Sequence, residues 1–418
     1  MVESHVSRFL SGCVPPLLMA FLGLVMSLAG CTESQRQNTA VTNAQPTPSA
    51  QSKPTPVESK APDKPDLLAK FDRAEAERLT DTAKFIAGIK LEDKSKLARL
   101  TKSGAWIEYN KFFEEAWSKL ESQQLSPIKK WSSTELKSLS QTSKPIFYPF
   151  AGPDFLYAYT FFPNANNYML IGLEPVGKLP DLAALSDDEI SQKLREMNGA
   201  MFSLLQFSFF QTKSMQVDLA DKGTLPILFV FLARTNNQIL AMEYVGMDKN
   251  GGLKTFPDGN IDEAYLKGAK ITFVQAGKSE PQFLYYFAID LSDEGFEATP
   301  ALKNFVEKNL KESITYTKAA SYLMHYENFS QIRDLVLAKS SAILQDDSGM
   351  PVRFFEPKQW NLQFYGTYTG PIALFAKEYQ DDLRQIYETG SNVKALNFGI
   401  GYKYGLNESN LMLATKKN

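Results

Sequence analysis

The sequence predicts an α+β protein in which helices pack against an antiparallel sheet built from hairpins. Short aromatic and β-branched runs occur in pairs, and Asn- or Gly-containing turns join the two runs of each pair. This pattern is typical of β-hairpins. Longer stretches with apolar residues at helical spacing lie between the pairs at irregular intervals, whereas a regular parallel fold alternates strand and helix. A helical region and a disordered linker are expected to precede the sheet.

Residues 1–30 predict a signal peptide. Its predominantly apolar core of 12 residues, 17–28, is shorter than the roughly 20 residues that span a membrane. The run Leu28-Ala29-Gly30-Cys31 then resembles the lipobox of bacterial lipoprotein precursors. The resemblance implies cleavage before Cys31 and lipidation of Cys31, so a membrane is the expected partner of this end of the chain. An ordinary signal peptide or an uncleaved anchor is the alternative.

Residues 31–66 predict a disordered tether. Six prolines occur there among Thr, Ser, Gln, Asn and Ala, with no apolar periodicity. Such a segment cannot bury enough apolar surface to fold. We therefore expect the folded part to lie in the cell envelope, outside the cytoplasm, held off a membrane by this tether. Whether that membrane is the inner or the outer one is left open.

Composition excludes several classes of protein. The net charge of −2 offers no basic excess for nucleic acid. The two cysteines are Cys13 in the signal peptide and Cys31 at its end, so the remainder has no disulfide and no thiol nucleophile. His325 is the only histidine outside the signal peptide, and zinc sites draw on several Cys or His ligands. The sequence therefore predicts neither a metal nor another cofactor.

Residues 67–143 predict a mostly helical region, and residues 144–418 predict the α+β domain. Three hairpins are expected in that domain, and their similarity indicates a weak internal duplication. They pair residues 155–162 with 168–173, 227–233 with 239–245, and 271–275 with 282–290. Helices are expected from a capping box at Ser186 to residue 209, and at 302–312, 317–326, 331–339 and 372–387. Further strands are expected at 342–345, 352–355, 362–368 and 396–400.

Five side chains are candidates for ligand binding, and each has a structural alternative. Tyr148 and Asp154 flank a rigid run with two prolines and a glycine, which could line a cleft or form a turn. Asp346 and Asp347 could supply acid–base chemistry, although adjacent strand residues point to opposite faces and Asp-Ser-Gly is common in turns. His325 could act as a general base, but a packed helical histidine is the simpler interpretation.

The glycine-rich run 399–405 is similar to a dinucleotide-binding loop, but its last glycine is one position late and no long helix follows it. The phosphates of a dinucleotide need a helix N-terminus. An edge strand with glycines is the preferred interpretation.

Four runs, 148–154, 161–164, 345–349 and 364–368, resemble an uncharacterised family of bacterial secreted or lipid-anchored proteins. The resemblance covers much of residues 144–400 and implies no activity and no catalytic residue.

The leading functional hypothesis is a non-enzymatic binding or structural role in the envelope, because no reactive motif is present. A carboxylate-dependent envelope hydrolase is the first alternative, and an assembly factor for a protein partner is the second. A cluster of the candidate side chains with perturbed pKa values would favour the enzyme. A contiguous exposed aromatic patch would favour assembly.

Overall fold

The computed structural model describes residues 67–207, 223–390 and 392–417. The signal peptide, the lipidation of Cys31 and the tether lie outside these residues, as do residues 208–209 of one predicted helix. Within the described residues, no helix combines the length and the apolar character that crossing a membrane requires.

Eleven strands among the described residues form one mixed sheet with the order β10-β9-β11-β8-β7-β1-β2-β6-β5-β3-β4. The strands are β1 (Ile146–Tyr148), β2 (Asn167–Gly172), β3 (Asn237–Met247), β4 (Leu253–Thr255), β5 (Leu266–Gln275), β6 (Gln282–Ala288), β7 (Ser313–Thr317), β8 (Ser340–Gln345), β9 (Trp360–Gly366), β10 (Val393–Lys394) and β11 (Asn410–Lys416).

The α+β class is confirmed, and both flanks of the sheet contain antiparallel pairs. On one flank β6, β5, β3 and β4 pair antiparallel, and on the other β11 pairs antiparallel with β8 and β9. The middle differs from the expected all-antiparallel sheet, because β8, β7, β1, β2 and β6 run parallel. Helices rather than tight turns connect β1 to β2 and β7 to β8, and a crossover of this kind returns the chain in the same direction.

The helices follow in chain order. They are α1 (Arg73–Ile86), α2 (Gly104–Leu120), α3 (Ser126–Glu135), α4 (Lys137–Ser140), α5 (Phe155–Phe161), α6 (Asp187–Phe207), α7 (Leu225–Arg234), α8 (Asp293–Ala298), α9 (Ala301–Asn309), α10 (Ser330–Lys339) and α11 (Asp381–Thr389). The predicted capping box is present, since Ser186 and Glu189 exchange hydrogen bonds at the start of α6.

Two of the three predicted hairpins are wrong in their first arm. Residues 155–161 and 225–234 form α5 and α7, and only the second arms, β2 and β3, are strands. Every side chain of α5 is buried, so no polar face interrupts its run of apolar residues. A short apolar run of this kind does not distinguish a buried helix from a strand. The third hairpin, β5 and β6, is correct, so the expected duplication of hairpins has no basis.

Four further predictions differ from the structure. Residues 317–326 contain the end of β7 and a short 3₁₀ helix, and residues 352–354 form another 3₁₀ helix rather than a strand. The helix expected over 372–387 is a 3₁₀ segment followed by α11. Residues 396–400 contribute one isolated bridge, between Ile400 and Lys403, instead of a strand.

The connections of the parallel strands create a switch point in the middle of the sheet. From β1 the chain passes through α5 to β2 on one side, whereas from β7 it passes through α10 to β8 on the other side. The two crossovers, β1–α5–β2 and β7–α10–β8, therefore start from the neighbouring strands β1 and β7 and lead in opposite directions along the sheet. In open sheets of this kind, ligands bind outside the carboxyl ends of the strands at such a point.

Candidate functional site

Charged and phenolic side chains meet at the carboxyl ends of β1, β7 and β8. We call them the switch-point cluster, and all are buried. Its members are Tyr148, Asp154, Tyr316, Lys318, Tyr322, Asp346, Asp347 and Ser348. Four of the five side chains proposed from the sequence belong to it, and the fifth, His325, lies against Tyr322 with ring centroids 5.1 Å apart.

Asp154 and Lys318 form a buried ion pair between the segments that follow β1 and β7. Lys318 Nζ lies 2.8 Å from Asp154 Oδ2, which also accepts a hydrogen bond from the Tyr148 hydroxyl at 2.9 Å. Lys318 Nζ also lies 3.6 Å from the centroid of the Tyr157 ring. Burial raises the pKa of Asp154 and lowers the pKa of Lys318, and the attraction within the pair opposes both shifts.

Asp154 also caps α5, because its Oδ1 accepts the backbone N–H of Tyr157 at 3.3 Å. The run 148–154 is therefore a rigid turn and also part of the cluster. A carboxylate at a helix N-terminus satisfies an otherwise unpaired donor.

Asp346 directs its carboxylate towards the segment after β7. Its Oδ2 accepts the backbone N–H of Ala319 at 3.0 Å, and its Oδ1 accepts the hydroxyl of Ser348 at 2.5 Å. The backbone carbonyl of Asp346 accepts the N–H of Gly349, which closes the turn expected from Asp-Ser-Gly. Burial, together with the charge of Asp347, raises the pKa of Asp346 to about 7.

Asp347 has different partners, as expected for adjacent residues that point apart. Its carboxylate accepts the Tyr322 hydroxyl at 2.6 Å and the Asn410 amide at 2.9 Å. Burial raises the pKa of Asp347, and these two hydrogen bonds act against the shift. The two carboxylates do not share a hydrogen, but they lie close enough for the charge of Asp347 to disfavour ionisation of Asp346.

Two buried hydroxyls at the end of β7 have no hydrogen-bond partner within the described part of the chain. They are the Tyr316 hydroxyl and Thr317 Oγ1. The Tyr316 ring centroid lies 4.7 Å from that of Tyr148. Burial, and then the charges of Asp154 and Asp346, raise the pKa of Tyr316. An unpaired buried hydroxyl costs about 1–3 kcal/mol. Adjacent residues of a strand point to opposite faces of the sheet, so the two hydroxyls do not face one common position.

His325 is neutral near physiological pH. Burial, and then the charge of Arg353, lower its pKa to about 4. Its Nδ1 lies 3.7 Å from Glu378 Oε2, beyond hydrogen-bond distance. It is a packed histidine on a short 3₁₀ helix, and its ring contacts Tyr322 of the cluster.

The backbone around the cluster contains unusual conformations. Ala319, Ser321 and Tyr322 after β7, and Phe150 after β1, all have positive φ angles between 51° and 60°. Residues other than glycine, asparagine and aspartate rarely adopt this region, and each occurrence costs about 1–3 kcal/mol. Such strain is concentrated at functional sites, where the surrounding structure holds a side chain in a required position.

The glycine-rich run 399–405 covers the cluster. Tyr402 donates its hydroxyl to the Ala319 carbonyl at 2.9 Å, and Gly401 has φ +67° beside Asp346. A Cβ atom at Gly401 would overlap Asp346 Oδ2. The run can therefore approach the Asp346 carboxylate this closely only because residue 401 is a glycine. Leu406, directly after this run, and Leu374, on segment 373–378, are 61% and 64% exposed.

Sequence reasoning missed Lys318, Tyr316, Tyr322 and Ser348. The one signal for Lys318 was its position directly after the β-branched and aromatic run of β7, but residues 317–326, which include Lys318, were predicted to form a helix. Ser348 was assigned to turn chemistry alone, because nothing local shows that Asp346 is buried beside it.

No group of three or more His, Cys, Asp or Glu side chains in the described ranges is arranged to hold a metal ion. No protein-family model and no curated protein matches this sequence.

Proposed function

We propose that the folded part of this chain is a carboxylate-dependent hydrolase of the cell envelope, tethered to a membrane through Cys31. The observation that carries the proposal is the contact between Ser348 and Asp346. A hydroxyl donates at 2.5 Å to a carboxylate with a pKa of about 7. A nucleophile hydrogen-bonded to a base, with the base oriented by a third group, is the general arrangement for covalent catalysis. Here the third group is the backbone N–H of Ala319.

In the proposed reaction, the Ser348 oxygen attacks a carbonyl carbon of an ester or amide while its proton moves to Asp346. The carbonyl π electrons move to the carbonyl oxygen, and the Lys318 ammonium stabilises that oxyanion. When the oxyanion collapses, the bond to the leaving group breaks and the leaving group takes the proton from Asp346. Water then attacks the acyl carbon while its proton moves to Asp346. When this second oxyanion collapses, the bond between the acyl carbon and the Ser348 oxygen breaks, and the Ser348 oxygen takes the proton back from Asp346.

The pKa of Asp346 suits both steps. A group with a pKa near the working pH exists in both protonation states and transfers protons efficiently in either direction. Burial and the Asp347 charge produce this value, which would otherwise be near 3.8. The cluster contains three carboxyl groups and one ammonium group, Lys318. In the proposal, the carboxyl group of Asp347 has the role of raising the pKa of Asp346.

Access requires movement of the segments around the cluster, because the side chain of Ser348 is fully buried. The glycine-rich cover 399–405 is the segment proposed to move, since Gly401 lies against Asp346, the partner of Ser348. Substrates are expected to enter between this cover and segment 373–378, next to the exposed Leu374 and Leu406. This route favours substrates with an apolar group beside the scissile bond.

The test is covalent labelling by a fluorophosphonate probe, which reacts with activated serine hydroxyls, together with turnover of chromogenic acyl esters. We expect the wild-type protein to be labelled and to hydrolyse esters, with a rate that rises around pH 7. Ser348→Ala should abolish both, and Asp346→Asn should reduce both by at least 100-fold, since general bases contribute about 10²–10⁴-fold.

Glu243→Gln is the matched control. It removes a carboxylate from an ion pair, 2.8 Å from Lys270, on β3. Strands β1, β2, β6 and β5 separate β3 from β7, so labelling and turnover should be unchanged. A wild-type protein that the probe does not label, or a Ser348→Ala variant that is labelled equally, would exclude Ser348 as the nucleophile.

Non-enzymatic binding is the second candidate, because burial of the entire cluster favours it. A protein that binds a ligand without converting it can enclose the ligand completely, and a buried site is expected in that case. Native mass spectrometry of the protein purified from its envelope tests this alternative. A ligand that co-purifies with the wild type and dissociates on denaturation would show binding. If this ligand is chemically unchanged after prolonged incubation and is absent from Tyr316→Phe, the result would support binding over turnover.

A further inference from the structure

A cavity of about 340 Å³ lies apart from the switch-point cluster, against α6. The C-terminal end of α1, the segment 178–185, one face of α6 and the first turn of α7 form its walls. Its volume is within the range of about 300–1,000 Å³ that is typical of small-molecule sites.

The deep part of the cavity is lined by hydrocarbon. Phe85 from α1 and Leu194, Met197 and Ala200 from α6 are all buried there. The rim contains Lys178, Asp181 and Ala184, which are exposed, so the cavity leads from solvent to the apolar interior. Cavities with such walls exclude water and accept apolar ligands. The flexible side chain of Met197 can adjust to different shapes.

The charges at the rim balance one another. Lys193 Nζ lies 3.4 Å from Glu196 Oε2, and Lys178 and Asp181 contribute one charge of each sign. A rim without net charge gives no preference for an anionic or a cationic ligand. Recognition therefore depends on the apolar depth of the cavity.

We propose that this cavity binds one aliphatic chain of a lipid or fatty acid, independently of the chemistry at the switch-point cluster. An aliphatic chain suits an apolar cavity whose rim is open to solvent. Membrane phospholipids and free fatty acids both supply such chains at a membrane surface.

The probe series is the straight-chain primary alcohols from hexanol to dodecanol, bound to the full chain and measured by calorimetry. Each added methylene that enters the cavity should raise the affinity about fourfold. The increase should stop at the chain length that fills the cavity. Affinity that does not depend on chain length would overturn the proposal.

Variants on α6 locate the site. Ala200→Trp places a large ring in the cavity and should abolish binding. Arg195→Trp adds the same ring at an exposed position of the same helix and should change nothing. If Ala200→Trp fails to fold, Met197→Ala enlarges the cavity instead and should move the plateau to longer alcohols. Equal affinities for wild type, Ala200→Trp and Met197→Ala would exclude the cavity as the site.

Extraction of the protein purified from the envelope distinguishes the two sources. Phospholipid or free fatty acid recovered from the wild type and from Arg195→Trp, but at much lower yield from Ala200→Trp, would support the proposal and identify the occupant. Absence of lipid from the wild type, with no alcohol bound, would contradict the proposal.

Discussion

Lys318 Nζ lies 2.8 Å from Asp154 Oδ2, and these side chains are 2% and 4% exposed. The pair joins the segments that leave two neighbouring strands, β7 and β1, at the point where the crossovers diverge. Each charge without the other would be costly, because moving one ion into a protein interior costs several kcal/mol. The contact therefore couples the two halves of the parallel sheet.

Replacement of Lys318 by Met should destabilise the protein by about 3–5 kcal/mol, because Asp154 would remain buried without its cation. Asp154→Asn should also be costly, although its amide oxygen can still accept the Tyr157 N–H. The double variant should lose less than the sum, with a coupling energy of about 1–3 kcal/mol from urea unfolding. Strict additivity would show that the two side chains do not stabilise each other.

Asp346 and His325 should give opposite pH dependences of stability. The folded-state pKa of Asp346 is raised from 3.8 to about 7, so its contribution favours the folded state at low pH and is lost as pH rises towards 7. The folded-state pKa of His325 is lowered from 6.5 to about 4, so its contribution is present above pH 6.5 and is lost as pH falls towards 4. Over the shared window, pH 4–6.5, the two contributions partly cancel.

Single variants separate these contributions. Relative to wild type, Asp346→Asn should become more stable as pH rises from 4 to 7, by an amount on the order of 4 kcal/mol. His325→Gln should become relatively more stable as pH falls from 6.5 to 4, by about 3 kcal/mol. Unfolding free energies from urea titrations at pH 4, 5.5 and 7 measure both. Parallel curves for variant and wild type would mean that the group titrates with its ordinary pKa.

Two glycines should respond to alanine in opposite ways. Gly199 lies within α6, and a Cβ atom there meets nothing within 4 Å. Gly199→Ala should therefore stabilise the protein by about 0.5–1 kcal/mol. Gly401→Ala should destabilise it by more than that, because φ is +67° and the methyl group would overlap Asp346 Oδ2. Thermal unfolding compares the two, and equal shifts would contradict the described backbone.

Thr80 should contribute more to the free energy of unfolding than is usual for a small polar side chain. Its hydroxyl donates to the Ile239 carbonyl at 3.1 Å and accepts the Ile239 N–H at 3.0 Å, beside the irregular register of β3. Thr80→Val should cost about 1–3 kcal/mol, because two buried backbone groups lose a partner. Thr82→Val is the control, since the Thr82 hydroxyl only adds a hydrogen bond to the Arg78 carbonyl within the same helix. Equal losses would contradict this role.

Cys31→Ala should transfer the protein from the membrane fraction to a soluble or unprocessed form. Two or more acyl chains are expected to hold the mature protein stably, at about 0.8 kcal/mol for each buried methylene. Fractionation and metabolic labelling with a radioactive fatty acid measure the change. Unchanged fractionation and labelling would exclude lipidation at Cys31. Deletion of residues 32–66 should leave the unfolding of the folded part unchanged if that segment is a tether.

The boundaries of isolated amphipathic helices were predictable because local chemistry decides them. Ser186 and Glu189 predicted the start of α6 through a capping box whose two partners lie three residues apart. The mostly helical region predicted over residues 67–143 likewise contains α2, whose buried residues recur at helical spacing. Neither inference needed a distant part of the chain.

The fully buried elements were not predictable in the same way. The residues of α5 and α7 are apolar on every side, so their pattern has no period that separates helix from strand. Their conformation depends on what surrounds them. The same ambiguity led to the prediction of an antiparallel sheet. When α5 is predicted as a strand, its connection to β2 is predicted as a hairpin, whereas α5 is the crossover between the parallel strands β1 and β2.

The sequence alone predicted the α+β class and five polar candidate residues, which were chosen for their local context. It also led to the expectation of an anchored and tethered protein. The tertiary structure decided that four of those candidates share one buried cluster with Lys318 and Ser348. It also decided the protonation of that cluster. The physical reason is that a pKa depends on burial and on neighbouring charges, and both are properties of the folded surroundings rather than of the residues next along the chain.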